Sequence, residues 1–162
     1  MALTDILSGL ANRRAFDDIL HTEVMRATRY NNELSLIILD LDSFKEYNDK
    51  WGHPAGDIRL REMADLLRSN VRDPDLAARY GGEEFAIVLP EIDHYNAMQF
   101  AEKIRKLVEV AEFKFEDAVI PVTVSIGVSS LRGEIEDALE FIKQADTNLF
   151  AAKEGGRNRV VG

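Results

Sequence analysis

The chain has 162 residues, enough for one domain with a sizeable core, and its 46% hydrophobic and 30% charged content is that of an ordinary soluble globular protein. Lysine and arginine number 20 against 29 aspartates and glutamates, a formal charge of -9 that repels polyanions and argues against a nucleic-acid or anionic-membrane binder. The absence of cysteine excludes disulfide frameworks and thiolate zinc sites. With no signal peptide and no apolar run of membrane-spanning length, a cytoplasmic domain without direct membrane contact is expected.

In chain order, Ala11 to about Tyr30 is compatible with a helix. Leu34 to Asp42, LSLIILDLD, is apolar on both alternating faces up to Asp40, which predicts a central strand covered on both sides. A short helix is expected from Phe44 to Lys50. Another starts near Pro54, with Leu60, Met63, Ala64, Leu67 and Val71 at helical spacing. Asp73-Pro74-Asp75 breaks that helix.

LAARY and EFAIVLP then read as strands flanking Gly81-Gly82-Glu83-Glu84, hence a hairpin. Tyr95, Met98, Ala101, Ile104, Leu107 and Ala111 recur at helical spacing, and VTVSIGVSS is a further strand. Ile135 to Lys153 is expected to be a helix with Gly155-Gly156 past its end, followed by a terminal edge strand at RVV. Together these predict an α+β fold, a mostly antiparallel central sheet flanked by helices.

Asp40 and Asp42 end the first strong strand, and Glu83 and Glu84 occupy the hairpin turn. Neighbouring strands would bring Asp40 close to Glu83. Paired hard oxygen ligands with open positions suit Mg²⁺, and Leu41 can add its carbonyl. Gly81 and Gly82 permit positive φ and close approach of a phosphate or base. On spacing alone, a solvated turn and a helix-capping aspartate explain these residues equally well.

The flanking motifs break that tie. RYGGEEF, Arg79 to Phe85, resembles the signature of the GGDEF family, the diguanylate cyclases, in its GGEEF form. DILSGLANRRAF resembles the family's opening motif, with Ser8 where threonine is more usual. LDLDSFKEYNDKWGHPAGD resembles its metal and guanine segment, and AAKEGGRNRV its closing motif. The four lie in the family's order and span the chain nearly end to end.

The resemblance implies a nucleotidyl-cyclase or polymerase-palm fold with the signature on a β-hairpin. It also implies conversion of two GTP into cyclic di-GMP and two pyrophosphates. Asp40 and Glu83 match the family's metal ligands (Mg²⁺ or Mn²⁺) with the Leu41 carbonyl. Glu84 matches the adjacent acid, assigned to a second metal or to activating the 3′-hydroxyl. Asn48 and Asp57 match the guanine-reading positions. Lys45, Lys153 and Arg157, with backbone N–H groups near Phe44 and Lys45, match the phosphate contacts. Outside the resemblance, Asn48 reads as a turn residue, Asp57 as a first-turn helix acid, and Lys153 and Arg157 as compensation of a helix dipole.

Arg72 and Asp75 form an RxxD at the offset of the family's product-binding inhibitory site, with Lys103 and Arg105 as loose candidates for a further basic contact. Asp5 is expected to pair with Arg79, latching the opening segment. Residues 1–162 are expected to form one catalytic domain of a longer multidomain signalling protein. Each such domain holds one GTP, so catalysis needs a two-fold homodimer. The competing reading is a catalytically silent receptor for GTP or cyclic di-GMP. A purely structural or dimerisation domain explains the core but not the coincidence of acids, Asn48, Asp57 and the basic cluster.

Overall fold

The computed structural model describes residues 2–131 and 137–162. The central strand β1 (Leu34–Leu41) is buried along its whole length, as its two-sided apolar pattern requires. It pairs antiparallel on one side with β3 (Glu84–Pro90), and β3 in turn with β2 (Leu76–Gly81). On its other side β1 pairs antiparallel with β6 (Val124–Ser130), and β7 (Val160–Val161) closes that edge in parallel with β6. The order β2-β3-β1-β6-β7 is therefore mostly antiparallel, with one parallel edge.

Alternation along β1 divides the core in two. Ile37, Leu39 and Leu41 face α3 (His53–Asn70) and α4 (His94–Val110), while Leu34, Leu36 and Ile38 face α1 (Arg13–Tyr30) and α5 (Ala138–Glu154). Asp40 shares the even-numbered face and so points towards α5.

Local signals set the helix boundaries. Asn12 caps α1 by accepting from the Ala15 N–H at 2.9 Å, and Asn31 ends it in the left-handed conformation. Pro54 sits in the first turn of α3, and Asp93 caps α4. Asp137 caps α5 through the Glu140 N–H, and the helix runs from Ala138; the expected start at Ile135 lies outside the described residues.

The seat of α5 depends on Gly127. A Cβ there would fall 2.2 Å from the Ala145 carbonyl and 2.3 Å from the Leu149 nitrogen, so only glycine lets the helix backbone lie this close to β6. This close seat fixes where Lys153, at the far end of the helix, emerges.

The sequence reading missed a two-stranded hairpin formed by β4 (Lys114–Phe115) and β5 (Ala118–Val119). Its strands are too short to show periodicity. Its turn uses Glu116 at φ 56° instead of the glycine or asparagine that would have marked it.

Candidate active site

The short antiparallel ladder sets the acidic centre. Asp40, at the penultimate position of β1, lies directly opposite Glu84, the first residue of β3. Glu83, expected close to Asp40, sits in the turn, where its main-chain carbonyl accepts from the N–H of Leu41, the residue after Asp40, at 3.3 Å. A register shift between Arg79 and Gly81 leaves Tyr80 as the bulged residue and re-aims the tip. Arg79 holds that tip through the Gly82 carbonyl at 3.0 Å. Its expected pairing with Asp5 is present at 3.4 Å.

Burial pushes the Asp40 carboxyl upward, Lys153 opposes this, and the nearby Glu83 and Asp42 charges push it further up. Glu84 is raised in the same way, first by burial and then by Asp40, Asp146 and Glu83. Lys153 Nζ sits 2.5 Å from Asp40 Oδ2, so a side chain expected at the phosphates is paired with an acid expected at the metal. Leu41 lies beside this pair on β1.

Among the described residues no group of three or more acidic, histidine or cysteine side chains forms a ready-made metal cage. Mg²⁺ needs no such cage: it commonly takes one or two carboxylates and completes its shell with water and phosphate oxygens. Acids that raise one another's pKa, with an ammonium standing against one of them, fit a place built for more positive charge.

Immediately after β1, Ser43 adopts φ 58° and turns the chain into α2 (Phe44–Trp51), putting Phe44 and the exposed Lys45 in its first turn. Asn48 lies on the same helix, and its Oδ1 packs against Gly56 of α3, the residue before Asp57. The two proposed base readers are thus neighbours across a helix pair. Asn48 Oδ1 is buried without a hydrogen-bond partner among the described residues. At Gly81 and Gly82 an added Cβ would meet nothing within 4 Å, so the space over the tip is open.

Arg157 follows α5 in a left-handed turn, with φ 64°. A residue the sequence reading did not assign anchors that turn. Asp42 accepts from Thr123 Oγ1 at 2.7 Å, Ser125 Oγ at 2.6 Å and the Asn158 N–H at 3.1 Å. Arg105 reaches the same turn through Asn158 Oδ1 at 2.9 Å and is also paired with Glu102 and Glu109, so it is not a spare cation. Asp146, seven residues before Lys153 on α5, is a further acid on an exposed position of that helix. Burial raises it, and Arg13 and Lys153 hold it back.

Arg72 and Asp75 lie at the other end of the hairpin, about 20 Å away along β3 at ordinary strand rise. Arg72 grips Asp75 with Nη2 at 2.6 Å and also reaches the Pro90 carbonyl at 3.0 Å. The Asp75 side chain is 1% exposed and that of Arg72 46%, so the arginine is the accessible half of the pair.

This fold and acidic hairpin define a nucleotide-cyclase type of domain, and comparison with known proteins specifies which. The family model described as diguanylate cyclase, GGDEF domain, matches residues 2–159, and the chain belongs to that family. The response regulator PleD of Caulobacter vibrioides is 43% identical over 100% of this chain and 36% of its own length. Diguanylate cyclase A of Treponema denticola is 42% identical over 99% of this chain and 44% of its own length. The chain thus spans less than half of these curated relatives. The GGDEF domain of DgcB from Caulobacter crescentus, solved in complex with c-di-GMP, superposes with a TM-score of 0.95 at 38% identity, covering 99% of this chain and 95% of that one.

Proposed function

We propose that this domain is a diguanylate cyclase, condensing two GTP into cyclic di-GMP with release of two pyrophosphates. The observation that carries this reading is the pairing of Asp40 with Glu84 across β1 and β3, with Glu83 in the open turn and Lys153 against Asp40. Degenerate receptors are expected to lose one of these acids, and all three are present here.

Asp40, Glu83 and the Leu41 carbonyl would hold Mg²⁺ or Mn²⁺. When bound, that cation lowers the pKa of the attacking 3′-hydroxyl and neutralises charge on the phosphates. Glu84 would take the role of second acid, either toward a second cation or toward the hydroxyl proton. Its raised pKa suits a group that accepts a proton. Lys45, Arg157 and the N–H groups at Phe44 and Lys45 would receive the triphosphate. Lys153 would exchange its contact with Asp40 for the incoming phosphates. Gly81 and Gly82 leave the ligand room.

Asp57 would accept from the ring N–H and amino group of guanine. Asn48, its Oδ1 turned into Gly56, presents Nδ2 as a donor to the opposite edge. Adenine would leave a carboxylate unpaired, which gives the discrimination its energy.

One domain binds one GTP, so the 3′-hydroxyl of each nucleotide attacks the α-phosphate held by a partner, and the working unit is a two-fold dimer. Arg72, with Asp75 behind it, is the proposed contact for product feedback. Among the described residues no helix is long and apolar enough to cross a membrane, and we place this domain in the cytoplasm, where GTP is available.

Incubation with GTP and Mg²⁺ followed by chromatography tests the reading. Cyclic di-GMP that disappears in Glu83→Ala supports it; bound but unconverted GTP in an enforced two-fold dimer contradicts it.

A further inference from the structure

We propose that Arg59 is a positioning residue that sets the spacing between Asn48 and Asp57 and thereby governs discrimination of guanine from adenine nucleotides. This rests on the base-reading role given to Asn48 and Asp57 above.

Arg59 lies on α3 two residues after Asp57, so its side chain leaves the helix on a different side. It is 4% exposed. Its guanidinium lies over the ring of Tyr47, the residue before Asn48, 3.6 Å from the centroid, and 5.9 Å from that of Phe113. Nη2 donates to the Ile120 carbonyl at 2.8 Å, while Nε–H has no hydrogen-bond partner among the described residues. The side chain therefore joins α2, α3 and the ends of the segment carrying β4 and β5. Trp51 of α2 meets the same hairpin edge-on at Phe115, with ring centroids 6.3 Å apart.

A guanidinium this buried with an unfilled donor is a poor stabilising device. Burial lowers its pKa, opposed mainly by Tyr47 and Glu62, and an apolar side chain of similar length would avoid the desolvation. What the cation supplies is geometry: a planar group stacked on one ring and tied to one carbonyl permits one distance between α2 and α3. That distance matters because Asn48 Oδ1 is wedged against Gly56 without a polar partner. A small slip of α2 would free the amide to rotate and present oxygen instead of nitrogen to the base.

The test is calorimetric binding of non-hydrolysable GTP and ATP analogues, with Mg²⁺, to the parent chain, Arg59→Met and Arg59→Lys, each checked by thermal melting. Arg59→Met is expected to fold and to lose about tenfold in the ratio of guanine to adenine affinity. Arg59→Lys, which keeps the charge but not the planar fork, is expected to fall between. An unchanged ratio in either folded variant overturns the inference while leaving the base-reading assignment intact. A parent chain that does not prefer the guanine analogue overturns the assignment and the inference with it.

Discussion

Lys153 and Asp40, 113 residues apart in sequence, form an ion pair with Nζ 2.5 Å from Oδ2 at the end of the central strand. The pair relieves part of the repulsion among Asp40, Glu83, Glu84 and Asp146, and leaves the rest. That residual strain gives the site a measurable pH signature.

Glu84 has its pKa raised in the folded state by burial and then by Asp40. The stability linked to this group is therefore fully present below the ordinary glutamate range and is lost as pH rises through the elevated value. Glu84→Gln removes that loss. Melting temperatures of the metal-free domain measured from pH 4 to 7 are expected to converge at the acid end. The variant should melt higher at neutral pH while losing turnover. A variant that melts lower at neutral pH would contradict the repulsion.

Gly56→Ala tests the contact beneath the proposed base readers. The new Cβ would lie 1.9 Å from Asn48 Oδ1, so the amide must move. Gly56 has no positive φ to protect, and alanine favours the helix by about 1 kcal/mol. Retained folding with reduced preference for GTP over ATP is expected in competition binding.

The Asp42 carboxylate holds two hydroxyls and the Asn158 N–H, uniting the ends of β1 and β6 with the turn that carries Arg157. Asp42→Ala should cost about 2 kcal/mol in urea unfolding, because one buried and two partly buried donors lose their acceptor together. KM for GTP should rise more than kcat falls, since the loosened turn carries Arg157, proposed above as a phosphate contact, and not a proposed reacting acid.

Arg72→Ala removes the exposed half of the Arg72–Asp75 pair. Cyclic di-GMP affinity by calorimetry is expected to fall about tenfold or more, as loss of a forked guanidinium contact implies. GTP binding at the distant hairpin tip should not change. Equal cyclic di-GMP affinity in both proteins would remove the site.

Much of this was legible in the sequence. The two-sided apolar run of β1, the glycine turn before EFAIVLP and the helical spacing after Pro54 each reflect one dominant local force, and each element appeared where expected. The proposed roles of the acids and of Asn48 and Asp57 could be named only through the flanking motifs, because isolated Asp40 or Asn48 has an adequate explanation as a cap or a turn. The ladder partner of Asp40, Glu84, could not be named from the sequence, because strand register depends on turn geometry that shows only in the folded hairpin. Asp42, Arg59 and Arg105 were missed as organisers because their partners, Ser125, Tyr47 and Asn158 among them, come together only in the folded chain. The β4–β5 hairpin escaped because a non-glycine left-handed turn carries no distinctive residue.

Cyclic di-GMP formation from GTP and Mg²⁺, measured over rising protein concentration and in a chain fused to an enforced two-fold dimer, is the most direct test. Product should rise more steeply than linearly with the free domain, appear at low concentration in the fusion, and vanish in both on Glu83→Ala. GTP bound without conversion in the enforced dimer would contradict a cyclase and leave a nucleotide receptor.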